Sequence, residues 1–262
     1  MGKQRPVGEI TRGTTNPNRL RRVDRYILNQ PTLKRPTPLV VDLGFGANPT
    51  TTLELLDRVL GVNPNAQVLG IEIDPERIAR AKPFEKDNLH FELGGFEIPI
   101  PAILQTHEVN LVRAMNVLRQ YDESEVLSAW KLMQQRLSPD GIIVEGTCDE
   151  IGRLAAWVTL DRQRVISLTL SFRLLGLVKP SKVAERLPKV LIHKNTSGNR
   201  IFDFLNHLDN AWANHSPLAV FSPKQRFAAS ATELIAKGWP VTKEPKRWQL
   251  GELTVDWDAV KP

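Results

Sequence analysis

Strand-like and helix-like segments alternate along the first half of the chain, and this alternation predicts an α/β fold with a doubly wound, mostly parallel sheet. The strand-like segments are short runs rich in Val, Ile and Leu, as is typical of strands buried on both faces of a sheet. They are expected at residues 39–43, 67–73, 89–93, 109–114 and 141–146. Helices are expected between them, at residues 50–60, 75–82, 97–105 and 122–136.

The later part of the chain follows a different pattern. Two apolar runs, Ala155 to Leu160 and Val165 to Phe172, are joined by the polar turn DRQR and predict an antiparallel hairpin that closes the sheet at seven strands. Apolar stripes at helical spacing predict a helical C-terminal cap. We therefore expect a loose basic arm and a leading helix at residues 1–30, an α/β core at residues 31–178, and a helical cap with a tail at residues 179–262.

The composition excludes several classes of protein. A content of 41% hydrophobic and 24% charged residues is ordinary for a globular chain and argues against disorder, collagen and coiled coil. No apolar run approaches the roughly 18 residues that span a bilayer, and no secretory signal is evident, so a cytoplasmic protein without membrane contact is expected. Cys148 is the only cysteine, and the five histidines lack ligand spacing, so no metal is expected.

Positive charge is concentrated at the start of the chain. Residues 1–35 hold nine basic and two acidic side chains, whereas the whole chain has a net charge of +6. The remaining residues are therefore close to neutral. A basic arm of this kind can bind the phosphates of a nucleic acid, or it can be the solvated face of the leading helix.

The segment LVVDLGFGANP, residues 39–49, is the most informative stretch. A buried strand ends in Asp42, and Gly44 and Gly46 allow a sharp turn that a ligand can approach closely. Pro49 stands where a dinucleotide fingerprint would have its third glycine, which argues against a nicotinamide-dependent oxidoreductase. Asp42 can hold an ammonium group, directly or through water, and Glu72, at the end of the next strand, can accept two hydrogen bonds from ribose hydroxyls. The pattern indicates a pocket for a nucleoside joined to an amino acid.

Five segments in sequence resemble the motifs of the class I S-adenosylmethionine-dependent methyltransferases, in particular a bacterial branch of that family. The segments are D-x-G-x-G at residues 42–46, GIEID at 70–74, LHFELGGFEIP at 89–99, VNLVRAMNVLRQY at 109–121 and LSPDGIIVEGT at 137–147. The resemblance implies a Rossmann-like methyltransferase fold that binds S-adenosyl-L-methionine and releases S-adenosyl-L-homocysteine.

The resemblance also implies which residues contact this cofactor. They are Asp42, Gly44, Phe45, Gly46, Asn48, Glu72, Ile73, Gly95, Phe96, Ala114 and Asn116. The glycines of the first turn would pass under the methionine part, Glu72 would hold the ribose, and Gly95 and Phe96 would flank the adenine. Many relatives carry Asp at the position of Gly95, so here the backbone at Phe96 is expected to replace that contact.

The methyl acceptor is not specified by these motifs. The N-P-P-[YF] motif of enzymes that methylate amide or exocyclic amino nitrogens is missing, which argues against that subclass. If a general base is needed, the candidates after the fifth strand are Glu145, Asp149 and Glu150.

Substrate contacts are also only candidates. Arg113 and Arg119 could bind an acidic substrate or form salt bridges, and His193 could reach over the pocket or end a helix. A small-molecule acceptor is expected. A nucleic-acid methyltransferase that uses residues 1–35, and a non-catalytic cofactor-binding protein, are the alternatives, and the oligomeric state is left open.

Overall fold

The structure is a computed structural model, and it describes residues 6–262. Lys3 and Arg5 of the basic arm lie outside the described residues. The strands are β1 (Leu39–Leu43), β2 (Gln67–Glu72), β3 (Leu89–Leu93), β4 (Val109–Met115), β5 (Leu137–Cys148), β6 (Leu154–Leu160), β7 (Val165–Phe172) and β8 (Glu252–Asp256). The helices are α1 (Arg21–Ile27), α2 (Thr50–Leu60), α3 (Pro75–Ala81), α4 (Glu123–Gln134), α5 (Lys189–Ile192), α6 (Arg200–Asn214), α7 (Pro223–Ala236) and α8 (Pro245–Trp248). No helix among these residues is long and apolar enough to cross a bilayer.

The sheet has the strand order β3-β2-β1-β4-β5-β6-β7-β8. β1 pairs in parallel with β2 on one side and with β4 on the other, and β2 pairs in parallel with β3. The chain therefore reverses its direction of travel across the sheet between β1 and β4, which is where ligands bind in open α/β folds. The predicted α/β class and the mostly parallel order are confirmed.

The predicted count of seven strands is wrong, because the C-terminal tail contributes an eighth. β8 pairs antiparallel with β7, with Leu253 opposite Leu170 and the hydroxyls of Thr254 and Thr169 2.9 Å apart. The segment ELTVD alternates in the way a strand requires, but it follows a helical stretch and is only five residues long. The tail is therefore not wholly helical, although α6 and α7 confirm the two predicted helices before it.

The prediction of a helix at residues 97–105 is also wrong. This segment has only a short 3₁₀ turn, Ala102–Leu104. Pro99 and Pro101 explain the difference, because proline lacks the N–H that a helix needs and disfavours helical geometry in the residue before it. In contrast, α4 confirms the helix expected at residues 122–136, and it begins with a capping box of Asp122 and Glu125.

The chain divides into two compact units. The first holds the residues up to Glu145, together with Glu150–Gly152 and Leu160–Arg164, and the second holds the remainder. The first unit contains β1 to β4 with α1 to α4, and so all the predicted cofactor contacts. The predicted functional division into arm, cofactor core and cap stays a prediction.

A buried ion network joins four elements of the first unit. Arg113 of β4 is fully buried and donates from Nε and Nη2 to the carboxylate of Asp42 on β1, at 2.9 and 2.7 Å. Its Nη1 donates to Asp24 of α1, which also pairs with Arg58 of α2. Thr52, in the first turn of α2, donates to Asp42 at 2.7 Å. These contacts fix the end of β1 from three directions.

Charge in this network is maintained by mutual neutralisation. Burial opposes the charge of Arg113, but the carboxylates of Asp24 and Asp42 outweigh it and raise the pKa of the guanidinium. At Asp24 burial is the stronger influence and raises the pKa, although Arg113 and Arg58 act to lower it. Removal of either partner would leave an uncompensated group in the core.

We predict that Arg113→Met lowers the free energy of unfolding by about 3–5 kcal/mol, because it leaves the buried carboxyl group of Asp42 without its cationic partner and that of Asp24 with Arg58 alone. The measurement is urea denaturation monitored by circular dichroism. Arg35→Met is the control, since Arg35 pairs with Asp140 at the exposed surface and its loss should change stability little. Equal stability of Arg113→Met and the wild type would show that the network does not hold this part of the fold.

Candidate cofactor-binding site

The turn that follows β1 requires glycine at two positions. Gly44 and Gly46 have φ angles of 70° and 91°, which residues with a side chain rarely adopt. A Cβ on Gly44 would lie 2.6 Å from Cγ2 of Val117, in the segment after β4. The predicted sharp turn from strand to helix is confirmed, and it brings the backbone close to the end of β4.

Glu72 ends β2 and places its carboxylate against this turn. Its Oε2 accepts a hydrogen bond from the N–H of Gly46 at 2.8 Å, and its Oε1 accepts one from the N–H of Ile73 at 3.0 Å. Arg77 of α3 lies 3.4 Å from Oε1. The residue is 2% exposed, and these donors compensate the burial of its charge. A carboxylate oxygen accepts about two hydrogen bonds, so Oε2 has capacity for a hydroxyl.

The segment after β3 carries the predicted base-binding residues and one acid that the sequence prediction missed. Phe96 is buried, and its ring meets that of Tyr121 edge to face with 5.3 Å between centroids. Glu97 folds back so that its Oε1 accepts from the N–H of Gly95 at 3.0 Å. The signal that could have identified it is an acid two residues beyond Gly95, in the turn where the resemblance places an acid.

Residues 7–15, which we call the N-terminal strap, lie across the ends of these strands. The N–H of Phe96 donates to the carbonyl of Val7 at 3.0 Å, and the N–H of Val7 donates to Oε2 of Glu97 at 2.9 Å. The hydroxyl of Tyr121 hydrogen-bonds the N–H and the carbonyl of Glu9. The first half of the strap therefore lies at the predicted adenine position.

The second half of the strap contacts the glycine turn. The N–H of Ala47 donates to the carbonyl of Gly13 at 2.9 Å, and the hydroxyl of Thr15 donates to the carbonyl of Phe45 at 3.2 Å. Arg77 donates from Nη2 to a strap carbonyl at 2.7 Å. The loose arm expected here is in fact held along residues 7–15. The contacts use mostly the main chain, so they leave no periodic side-chain pattern in the sequence.

A narrow cleft of about 20 Å³ lies between the strap and the strand ends. Its walls come from the ends of β1 to β4 and from the strap: Val7, Gly8, Glu9, Thr11, Leu43, Gly44, Glu72, Ile73, Gly94, Gly95, Phe96, Val117 and Tyr121. With the strap docked, this volume holds about one water molecule and is far below the volume of small-molecule sites. The structure thus brings together Gly44, Glu72, Ile73, Gly95 and Phe96 of the predicted cofactor contacts.

Tyr121 is a polar group of this cleft that was not among the predicted cofactor contacts. Burial raises the pKa of its phenol above the ordinary value, although the hydrogen bond from the N–H of Glu9 opposes the shift. The phenol therefore stays protonated at neutral pH and acts as a hydrogen-bonding group.

Three predicted cofactor contacts have other partners. Asp42 belongs to the ion network. Phe45 is buried and packs edge to face on Phe91, with 5.3 Å between ring centroids. Asn48 accepts hydrogen bonds through Oδ1 from the N–H and the hydroxyl of Thr50 at the start of α2. These residues shape the turn and the helix after it.

The two predicted contacts near the end of β4 differ from each other. Ala114 is fully buried within the strand. Asn116 directly follows the strand and has a φ angle of 64°, which is unusual for a residue other than glycine. Backbone strain of this kind is frequent at ligand sites.

The predicted general bases lie in different surroundings. Glu145 is fully buried and accepts a hydrogen bond from Nε1 of Trp130 at 3.3 Å. Asp149 accepts from the N–H groups of Arg153 and Leu154, at 2.7 and 3.2 Å, and so caps the turn before β6. Glu150 is exposed.

The predicted substrate contacts are similarly dispersed. Arg113 is part of the ion network and is fully buried. Arg119 is half-buried in the short turn Leu118–Gln120. His193 is exposed at the end of α5, which is the helix-end position that the sequence left open as its alternative.

We predict that Glu145→Gln becomes more stable relative to the wild type as the pH rises from about 5 to about 8. Burial raises the pKa of Glu145 to about 8, from an ordinary value of 4.5. Over this interval the native state retains a proton on Glu145 that the unfolded chain releases, so the stability of the wild type falls as the pH rises. Gln does not titrate, so the stability of the variant does not fall for this reason. Denaturation of both proteins at the two pH values is the measurement. Glu150→Gln serves as an exposed control, and a stability difference for Glu145→Gln that does not depend on pH would contradict the prediction.

No protein-family model and no curated protein matches the chain. Among solved structures, human N-acetylserotonin methyltransferase in complex with SAM is 21% identical, over 51% of this chain and 36% of the human one, with a TM-score of 0.37. The N-methyltransferase NodS from Bradyrhizobium japonicum WM9 is 18% identical, over 49% of this chain and 66% of its own, with a TM-score of 0.34. The dimethyltransferase RosA from Streptomyces davawensis is 15% identical, over 48% of this chain and 36% of RosA, with a TM-score of 0.37. The matched region spans about a third of the human enzyme and of RosA, and all three of these proteins are methyltransferases by name.

Proposed function

We propose that the chain binds S-adenosylmethionine in the cleft at the ends of β1 to β4 and transfers its methyl group to an acceptor. The observation that carries the proposal is the placement of Glu72. Its carboxylate lies beside the glycine turn, with the N–H of Gly46 on one oxygen and that of Ile73 on the other. An oriented carboxylate whose Oε2 has remaining acceptor capacity suits a ribose hydroxyl.

The same site lacks two features of a dinucleotide site. The N–H of Gly46, which a pyrophosphate would use, already donates to Glu72. Pro49 stands where the dinucleotide fingerprint has its third glycine. The apolar rings and chains around the cleft, such as Phe96 and Ile73, suit a purine base.

The bound cofactor would supply a methyl group that its positively charged sulfur already activates for displacement. The chain's own residues would then position that group and exclude water. Glu72 would orient the ribose, and the turn at Gly44 would leave room for the backbone to approach the ligand. Asn116 would lie at the end of β4 beside it.

We further propose that the acceptor is a small molecule. Several arginines of the basic arm already use donor groups within the protein, which leaves fewer of their N–H groups to bind phosphates. Arg19 and Arg21 donate to backbone carbonyls at 2.7 to 3.2 Å, and Arg35 pairs with Asp140. The alternative is RNA or DNA binding through residues 1–35, and it requires an affinity that falls steeply as the salt concentration rises.

We predict that Glu72→Gln weakens the binding of S-adenosylhomocysteine roughly 10- to 100-fold, because the charged acceptor for the ribose is lost. The measurement is calorimetric titration with S-adenosylmethionine, S-adenosylhomocysteine and NAD. Glu76→Gln is the matched control, since Glu76 lies four residues along the chain with an exposed side chain.

Two outcomes would contradict the proposal. The first is that neither adenosyl ligand binds the wild type, and the second is that NAD binds as well as they do. Asp42→Ala is not a suitable variant for this test, because it would remove one of the two carboxylates that neutralise the buried Arg113 and would destabilise the fold. Melting temperatures of both Glu variants show whether a loss of binding reflects a loss of folding.

A further inference from the structure

A single strap residue, Val7, contacts the end of β3 through both its backbone N–H donor and its carbonyl acceptor. The carbonyl of Val7 accepts from the N–H of Phe96, and the N–H of Val7 donates to the carboxylate of Glu97. These are the groups at the end of β3 where the resemblance places the adenine. Glu97 is itself held in position, because its other oxygen accepts from the N–H of Gly95.

The base edge of adenine presents the same pair of groups. Its exocyclic amino group is a donor, and the adjacent ring nitrogen is an acceptor. A backbone N–H with an acidic side chain beside it can bind either this edge or an extended residue such as Val7. Both ligands cannot use the two groups at once.

Glycines allow the strap to approach this closely. A Cβ on Gly95 would lie 1.9 Å from the carbonyl oxygen of Val7, so the Asp found there in many relatives could not coexist with the strap. Gly8 has a φ angle of 139°, and a Cβ on it would lie 2.8 Å from the hydroxyl oxygen of Tyr121. The sequence around both contacts is therefore adapted to the docked strap.

We propose that the strap is a built-in competitor of the adenine, with Val7 occupying the base-reading pair formed by the Phe96 N–H and Glu97. This inference rests on the proposed function, since it takes the adenosyl group as the ligand of the cleft. Ligand binding then requires the strap to leave the end of β3, and the apparent affinity is reduced by the fraction of molecules in which the strap is docked.

The test loosens the strap without changing the residues at the strand ends that would contact the ligand. Gly8→Ala adds a Cβ against Tyr121 at a backbone angle that disfavours any side chain. Gly198→Ala is the matched control, because Gly198 also has a positive φ, of 90°, and none of the described residues lies within 4 Å of its Cβ position. Titration with S-adenosylhomocysteine should give roughly tenfold tighter binding to Gly8→Ala than to the wild type or the control.

The outcomes distinguish a failure of the competition from a failure of the proposed function. Unchanged or weaker binding by Gly8→Ala, with normal binding by the wild type, would overturn the competition and leave the proposed function intact. Absence of binding by all three proteins would refute the proposed function, and the competition with it.

A second comparison tests whether the strap mimics the base edge or only fills space. S-inosylhomocysteine carries an oxo group in place of the amino donor, so Gly8→Ala should bind it at least about tenfold more weakly than S-adenosylhomocysteine. Glu97→Gln should reduce this preference, because the amide can donate to the oxo group. Equal affinity of Gly8→Ala for both ligands would remove Glu97 from the base-reading pair and overturn the mimicry.

Discussion

The buried charge of Arg113 is the constraint on which the first unit depends. A guanidinium without solvent must have acidic partners, and Asp24 and Asp42 supply them from α1 and β1. The bond from Arg113 to the carbonyl of Thr51 adds the start of α2. Because the glycine turn begins two residues after Asp42, the same contacts that neutralise Arg113 also fix where that turn starts. They also hold α1, the helix that follows the strap, so the C-terminal end of the strap has a fixed position.

This network changes how the acid of the D-x-G-x-G segment is understood. Considered alone, Asp42 suggested a partner for an ammonium group, and Arg113 suggested a partner for an acidic substrate. In the structure each satisfies the other. Asp42 then acts on the site through the backbone it holds, and under the proposed function direct contact with the ligand would fall to Glu72 and to the segment after β3. The ligand would be bound by the carboxylates of Glu72 and Glu97 and by main-chain groups, and the strap would compete with it at the end of β3.

The sequence predicted the fold better than it predicted the site, for physical reasons. Buried parallel strands have a strong apolar signal, so the predicted bounds of β1 to β4 agree closely with the structure. The start of α4 was also predicted closely, because Asp122 and Glu125 form a capping box there. β8 was missed because a five-residue strand has little signal until its partner is known. At the site, Glu72 was identified because strand phase places it at an edge. The strap was missed because it docks through backbone groups of Val7 and Gly13, which carry no information in side-chain identity.

The measurement that tests the account most directly is hydrogen exchange along the chain with and without S-adenosylhomocysteine. The account predicts that the ligand slows exchange at the amides of residues 44–46 and 94–97 and speeds it at residues 7–9, because the adenosyl group takes the place of the strap on Phe96 and Glu97. Slower exchange in both regions would show that the strap closes over the ligand and does not compete with it, which contradicts the competition. No change at residues 44–46 and 94–97 at saturating ligand would contradict the central claim that the ends of β1 to β4 form the cofactor site.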